Sequence, residues 1–188
     1  GRFRNYWDLS EAANLELSAS AATGRNAQPF DREIEEGINA VNARQSLVGL
    51  DVTYRWRPLQ QGLYRSLIVQ AEWMRQLNED VADRSDPLDG PDMLYEGPRG
   101  DFDGAYLFAR WQTSRRTFIG ARYDWLQDDE ADGDTFGAVS GYLTWFPSEF
   151  AKLVAGYERV MPAGGSDAVN RILLQATFSV GPHRPHPF

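Results

Sequence analysis

VTYRWRPLQQGLYRSLIVQAEW, residues 52–73, alternates apolar and polar residues, turns over, and alternates back. Before the turn, Val52, Tyr54 and Trp56 share one parity, and Thr53, Arg55 and Arg57 share the other. After it, Leu67, Val69, Ala71 and Trp73 oppose Ser66, Gln70, Glu72 and Gln76. Period two sends such sets to opposite faces of a strand, so the stretch reads as a β-hairpin with one apolar and one polar face. The question it raises is what Trp56 and Trp73 face in a chain that is acidic and hydrophilic overall.

The same alternation recurs along the chain. Residues 14–23 set Leu15, Leu17, Ala19 and Ala21 against Glu16, Ser18 and Ser20. In 104–112, Ala105, Leu107, Ala109 and Trp111 oppose Gly104, Tyr106, Arg110 and Gln112, and in 116–126 Ile119, Ala121, Tyr123 and Trp125 oppose Gly120, Arg122 and Asp124. Residues 151–159 set Leu153, Ala155 and Tyr157 against Lys152 and Glu158. In 171–180, Ile172, Leu174, Ala176, Phe178 and Val180 oppose Arg171, Gln175, Thr177 and Ser179. The segment 135–146 is less regular, with Val139, Leu143 and Trp145 on its apolar face. With the hairpin strands 46–58 and 64–76, eight strands are expected in an all-β, antiparallel up-and-down arrangement.

Composition excludes several alternatives. The 188 residues suit one domain spanning 1–188, not two. Lys plus Arg number 19 against 27 for Asp plus Glu, a net charge of −8, which leaves no basic face for nucleic acid. Without cysteine there is no disulfide framework and no thiolate metal site. No run approaches the ~18 apolar residues of a transmembrane helix. A barrel strand, however, crosses a membrane in about ten residues and shows apolar side chains only at alternate positions.

The connections carry more information than the strands. "PLQQGL" (58–63), "TSR" (113–115) and "PSEF" (147–150) are short, whereas 24–45 and 79–103 are long and 127–134 and 161–169 are open. Long and short alternate, as in transmembrane barrels with tight periplasmic turns and longer extracellular loops. The long stretches also hold much of the acid, including Asp80, Asp83, Asp86, Asp89 and Asp92, then Asp128, Asp129, Glu130, Asp132 and Asp134.

The tryptophans follow from that alternation. Trp56, Trp111 and Trp145 each end a strand entering a short turn, and Trp73, Trp125 and Tyr157 lie about eight or nine residues up the returning strands. At about 3.3 Å per residue and a tilt near 40°, the two rows would stand roughly 20–23 Å apart along the membrane normal. Transmembrane barrels carry an apolar band about 25 Å tall with aromatic girdles at both edges. A soluble core would gather these rings on one face, but not in two rows in register with the turns. Trp56 and Trp73 are thus expected to face lipid at opposite leaflets. "NYWDLSEAANLELS" repeats the pattern of aromatic residue, polar turn and rising strand, which adds Trp7 to the girdle. By that match residues 1–12 are the end of a preceding strand and a periplasmic turn, and the chain is the C-terminal portion of a larger barrel. The competing reading makes 1–12 a short helix capping a closed eight-stranded barrel.

The paired strands "DVTYRWRPLQQGLYRSLIVQAEW" and "GYLTWFPSEFAKLVAGYE", with the ending "LLQATFSVGPHRPHPF", resemble the outer-membrane β-barrels of diderm bacteria, in particular porin-like members. The resemblance implies the bacterial outer membrane as location, and outer-membrane lipid and the barrel-assembly machinery as partners. It also implies an assembly signal at the aromatic C-terminus, which would be Phe188 and, on the last strand, Phe178. The class further implies passive diffusion of small solutes or ions, with self-association into a homo-oligomer as a compatible state. Pro182, Pro185 and Pro187 depart from the usual ending, because proline cannot donate to a strand ladder. The residues 181–188 are therefore read as a tail. Its "GPHxxH" pattern is similar to endings of barrel proteins described as zinc-regulated or TonB-dependent receptors.

Candidates for chemistry are few. His183 and His186 are the only histidines, and two imidazoles fall short of the four ligands of a structural zinc site. With so little to build a triad from, no enzyme and no cofactor are expected. "DDEADGDTFGAV" begins like a calcium loop through Asp128, Glu130, Asp132 and Gly133, but Val139 stands where a bidentate Glu is required. "RGD" at 99–101 is too short to carry an adhesion reading alone. The inward-facing set is more informative: Arg55, Arg57, Glu72, Arg110, Arg122, Asp124, Glu158 and Arg171. These would pair into a plug in a narrow barrel, or line water and bias ion passage in a wide one. A diffusion channel, a ligand-gated uptake receptor and a structural or adhesive barrel are the three functions compatible with this pattern.

Overall fold

The computed structural model describes residues 1–27, 42–78, 101–127 and 135–179. Among them there is no helix, and nine strands form one antiparallel sheet in sequence order. They are β1 (Arg2–Ser10), β2 (Ala13–Ala27), β3 (Asn42–Trp56), β4 (Leu67–Asn78), β5 (Phe102–Ser114), β6 (Thr117–Gln127), β7 (Thr135–Ser148), β8 (Ala151–Met161) and β9 (Val169–Phe178). The eight strands expected from the sequence are β2 to β9. The ninth comes from residues 1–12, expected as the end of a preceding strand and a turn: Arg2–Ser10 form a nine-residue strand, not a cap helix, paired with β2 from Arg2↔Ser20 to Ser10↔Ala13.

Each strand contacts only its sequence neighbours, so among the described residues no second layer covers either face of the sheet. β2 pairs with β1 and β3, not with β9, and the sheet is not closed; β1 and β9 each have one unpaired edge among the described residues.

The pairing register turns the period-two pattern into rows. One row runs Ala13–Trp56–Leu67–Trp111–Ile119–Leu143–Ala155–Leu174 across seven consecutive pairings. Six residues higher runs Ala19–Leu50–Trp73–Ala105–Trp125–Gly137–Met161. Directly opposed residues share a face, so the apolar sets of separate strands merge into one apolar surface. The other parity gives Glu16–Thr53–Gln70–Phe108–Arg122–Ser140–Glu158–Arg171 and its flanking rows.

Sidedness is inverted relative to a water-soluble core. Leu107 and Leu174 are 51% and 80% exposed, whereas Thr53 and Gln112 retain 6% and 3%. Every buried side chain except Ala13 belongs to the polar parity. In a single layer only curvature can press side chains of one face together, so the polar face is the concave one.

The strands are also staggered. The row that closes β3 and opens β4 at Trp56 and Leu67 passes Ile119, two residues inside β6, and Ala155, four residues inside β8. The short turns thus step steadily past the hydrogen-bonded rows, which is the shear a sheet needs in order to curl into a tilted barrel.

Close packing on the concave face centres on Gly120. A Cβ there would collide with the ring of Tyr142, which lies across the glycine, whereas at Gly141 nothing comes nearer than 3.9 Å. The Tyr142 ring stacks on Phe108 with centroids 6.0 Å apart and planes 13° from parallel. Gly120→Ala should displace the ring and lower the unfolding free energy in urea by about 0.5–1.5 kcal/mol, the worth of an aromatic pair. Gly141→Ala should stay within about 0.5 kcal/mol of the parent.

Candidate functional site: a charged concave wall behind an aromatic-banded apolar face

The apolar face has defined limits. Trp73 and Trp125 share one row, with Ala105 between them. Trp56 and Trp111 share another, and their indoles stack across Leu67 with centroids 5.6 Å apart and planes within 10°. Trp7 pairs with Leu15, one step above that lower row on the same face, and Trp145 pairs with Thr117, one step below Ile119. The four lower tryptophans therefore descend across the sheet in strand order. Tyr157, opposite Gly141 and Ile172, descends in the same way relative to Trp73 and Trp125. The rows of Trp56 and Trp73 are six residues apart on β4, about 20 Å along the strand. This is a shorter interval than the eight or nine residues counted from the sequence. The cause is the β3–β4 turn, whose residues 57–66 contribute no rise.

Charge returns to this face just beyond the aromatic rows. Arg75 and Asp103, one outward position above Trp73 and Ala105, pair at 3.6 Å, and Arg75 also reaches Asp101 at 3.3 Å. On β8 the first such charge is Arg159, just above Tyr157. From Arg75 to Arg159 the limit falls by four residues over four strands. From Trp7 to Trp145 it falls by four over six. With 3.3 Å per residue and 4.8 Å between strands, those slopes correspond to roughly 25–35° of strand tilt.

The concave face brings most of the expected inward residues into contact with one another or with new partners. Arg55 reaches Glu16 at 3.0 Å, and Arg4 reaches the other oxygen of the same carboxylate at 2.9 Å. Arg2 pairs with Asp51 at 3.1 Å, and Ser18 donates to Asp51 at 2.6 Å. Arg122 folds onto Asp124, two positions along its own strand, at 2.6 Å, and its guanidinium also lies 4.2 Å from the centre of the Tyr106 ring. Arg171 meets Glu158 at 3.4 Å on directly paired positions. Glu72 stands between Asp51 and Tyr106 in one row. Arg110 lies over Phe118 at 5.2 Å. Arg57 differs from expectation: it follows the end of β3 and donates through Nε to the Gly62 carbonyl at 2.9 Å, so it organises the turn. Gln112 caps the same turn from β5, donating to the Leu63 carbonyl at 3.1 Å and accepting from Ser66 at 2.9 Å.

Arg2, Arg4, Glu16 and Asp51 are members of this wall that the inward set omitted. Glu16 and Asp51 lie on the polar parity of their strands, a signal present in the sequence, whereas Arg2 and Arg4 required β1 to be a strand. Phe178 ends β9 exposed, opposite Ala151. Phe188, His183, His186, the calcium-like residues 128–134 and the acidic stretch from Asp80 to Asp92 lie outside the described residues, as do Arg99 and Gly100 of the RGD tripeptide.

Comparison with family models, with curated proteins and with solved structures finds no match to this chain.

Glu16 is the shared partner of two arginines and its side chain is only 13% exposed. Glu16→Gln should therefore reduce the unfolding free energy by about 1–3 kcal/mol. Glu158→Gln removes the partner of one well-solvated arginine and should cost less than about 1 kcal/mol. Equal losses from parallel urea titrations would contradict this placement of the charges.

Proposed function

We propose that the chain forms the wall of a porin-like outer-membrane β-barrel through which small solutes or ions diffuse passively. The observation that carries this reading is the inverted sidedness of a single layer: a continuous apolar surface faces outward, bounded above and below by aromatic residues. Lipid is a solvent that favours such a surface, and indole, with an apolar ring and one N–H, favours its edges. At the tilt derived above, the two tryptophan rows stand roughly 16–18 Å apart along the normal at 3.3 Å per residue. The indole bodies extend that span toward the band about 25 Å tall of known barrels.

Closure is part of the reading, because an unpaired strand edge is not tolerated in hydrocarbon. β1 and β9 run in the same direction, so joining them would create a parallel pair. An all-antiparallel ring takes an odd number of strands beyond these nine. Such a ring is wider than nine strands, which favours a water-lined interior over a side-chain plug.

The wall sets the expected selectivity. Among the described residues, the concave face sets Arg2, Arg4, Arg55, Arg110, Arg122, Lys152 and Arg171 against Asp8, Glu16, Asp51, Glu72, Asp124 and Glu158, seven cations to six anions. A modest cationic excess biases passage toward anions, although the whole chain is acidic.

The protein should require detergent, show strand-dominated circular dichroism and change electrophoretic mobility on boiling. In planar bilayers it should conduct, with reversal potentials in a salt gradient showing mild anion preference. A species that is monomeric and soluble without detergent would overturn the membrane reading. Absence of conductance would overturn the channel, and cation selectivity that survives neutralising the acidic loop residues would overturn the role given to the wall.

A further inference from the structure

Aromatic side chains on the concave face are concentrated on three strands and include Tyr106 and Phe108 on β5, Phe118 on β6, and Tyr142 and Phe146 on β7. Two arginines are interleaved with them. Arg122 stacks on Tyr106 and is neutralised by Asp124, with both carboxylate oxygens accepting from its guanidinium at 2.6–2.9 Å. Arg110 is held over Phe118, and among the described residues it alone of the arginines on the concave face of β3 to β9 has no carboxylate partner. It is exposed.

Its surroundings are built around a missing side chain. Arg110 pairs with Gly120, and Gly120 pairs with Tyr142. The glycine lets the Tyr142 ring lie across the sheet toward Arg110, with the hydroxyl end over the glycine and the ring stacked on Phe108. The result is an aromatic platform with an uncompensated guanidinium and a phenol hydroxyl at one edge. A guanidinium fork matches the two oxygens of a carboxylate, and an open aromatic face favours a second planar ring in an offset stack. One arginine balances one negative charge, which favours a monoanion.

We propose that the patch formed by Arg110, Tyr142 and Phe108 is a binding subsite for small aromatic carboxylates. The proposal deepens the channel reading, since it takes the concave face as the lumen. The carboxylate would accept hydrogen bonds from Arg110 and Tyr142 while the ring stacks on the platform. Phe118, beneath Arg110, holds the guanidinium in place.

Binding and conduction are measured separately on the full chain refolded into detergent micelles. Benzoate is titrated and followed by saturation-transfer NMR. It should bind saturably, and Arg110→Gln should weaken it about tenfold or more, the worth of a charge-assisted hydrogen bond. Cyclohexanecarboxylate, which keeps the charge but cannot stack, should bind about two- to tenfold more weakly. Gly120→Ala, which displaces Tyr142, should weaken benzoate without weakening cyclohexanecarboxylate to the same degree. If Arg110→Gln does not refold, Arg110→Lys keeps the charge, loses the planar fork and should still bind more weakly than the parent. No saturable benzoate binding, undiminished binding by the Arg110 variant, or equal binding of the two acids would overturn the subsite. A chain that binds in the expected pattern but does not conduct keeps the subsite and loses the channel. A chain that conducts without binding does the reverse.

Discussion

The hydrogen bonds that hold this sheet together run only sideways, between each strand and its neighbours, and among the described residues nothing packs above or below them. A sheet in that position must find cover for whatever its alternating side chains present on each side. In an ordinary soluble fold a second layer supplies that cover. Here curvature gathers the polar side chains inward, where carboxylates and guanidinium groups neutralise one another. The apolar side chains are left facing outward, with no covering element among the described residues. Stagger, girdles and charge limits all follow from this arrangement. If one face meets an apolar medium and its rims meet water, as proposed, the residues at each height of each strand are constrained.

The stagger links the local pattern to the global shape. Lower tryptophans step down the hydrogen-bonded rows from Trp7 to Trp145, and the upper charge limit steps down from Arg75 to Arg159. Two features on opposite rims of the apolar band therefore tilt in the same sense. That agreement follows naturally if both rims mark planes of one slab crossed by slanted strands.

Much of this was legible because period two is a strong signal in single-layer strands. Leu67 to Trp73 and Ile119 to Trp125 could each be assigned to a face from the sequence alone, and β7 followed despite its glycines at 137 and 141. What the sequence did not reveal has physical causes. The full length of the strand at residues 2–10 is masked by two breaks in the alternation, Asn5 on the apolar parity and Tyr6 on the polar one, and a strand that gains its pairing from β2 needs no strong signal of its own. The girdle spacing was overestimated because a turn of ten residues has no rise. The partners of Glu16 and the placement of Tyr142 over Gly120 depend on register between strands, which separate strand patterns do not encode.

The central claim is that the exposed apolar face meets lipid, and Leu107 is the residue on which to test it. It lies at mid-height on β5 between Ala71 and Tyr123, and is half exposed. In water an exposed Leu→Arg change away from other contacts alters stability by no more than about 0.5 kcal/mol. At the middle of a bilayer the same change costs about 2–4 kcal/mol. The measurement is the equilibrium unfolding free energy of Leu107→Arg against the parent, both refolded into lipid bilayers. A loss of about 2 kcal/mol or more at Leu107, with little loss for Thr113→Arg near the turn, is the expected result. Unchanged stability for Leu107→Arg would contradict the claim.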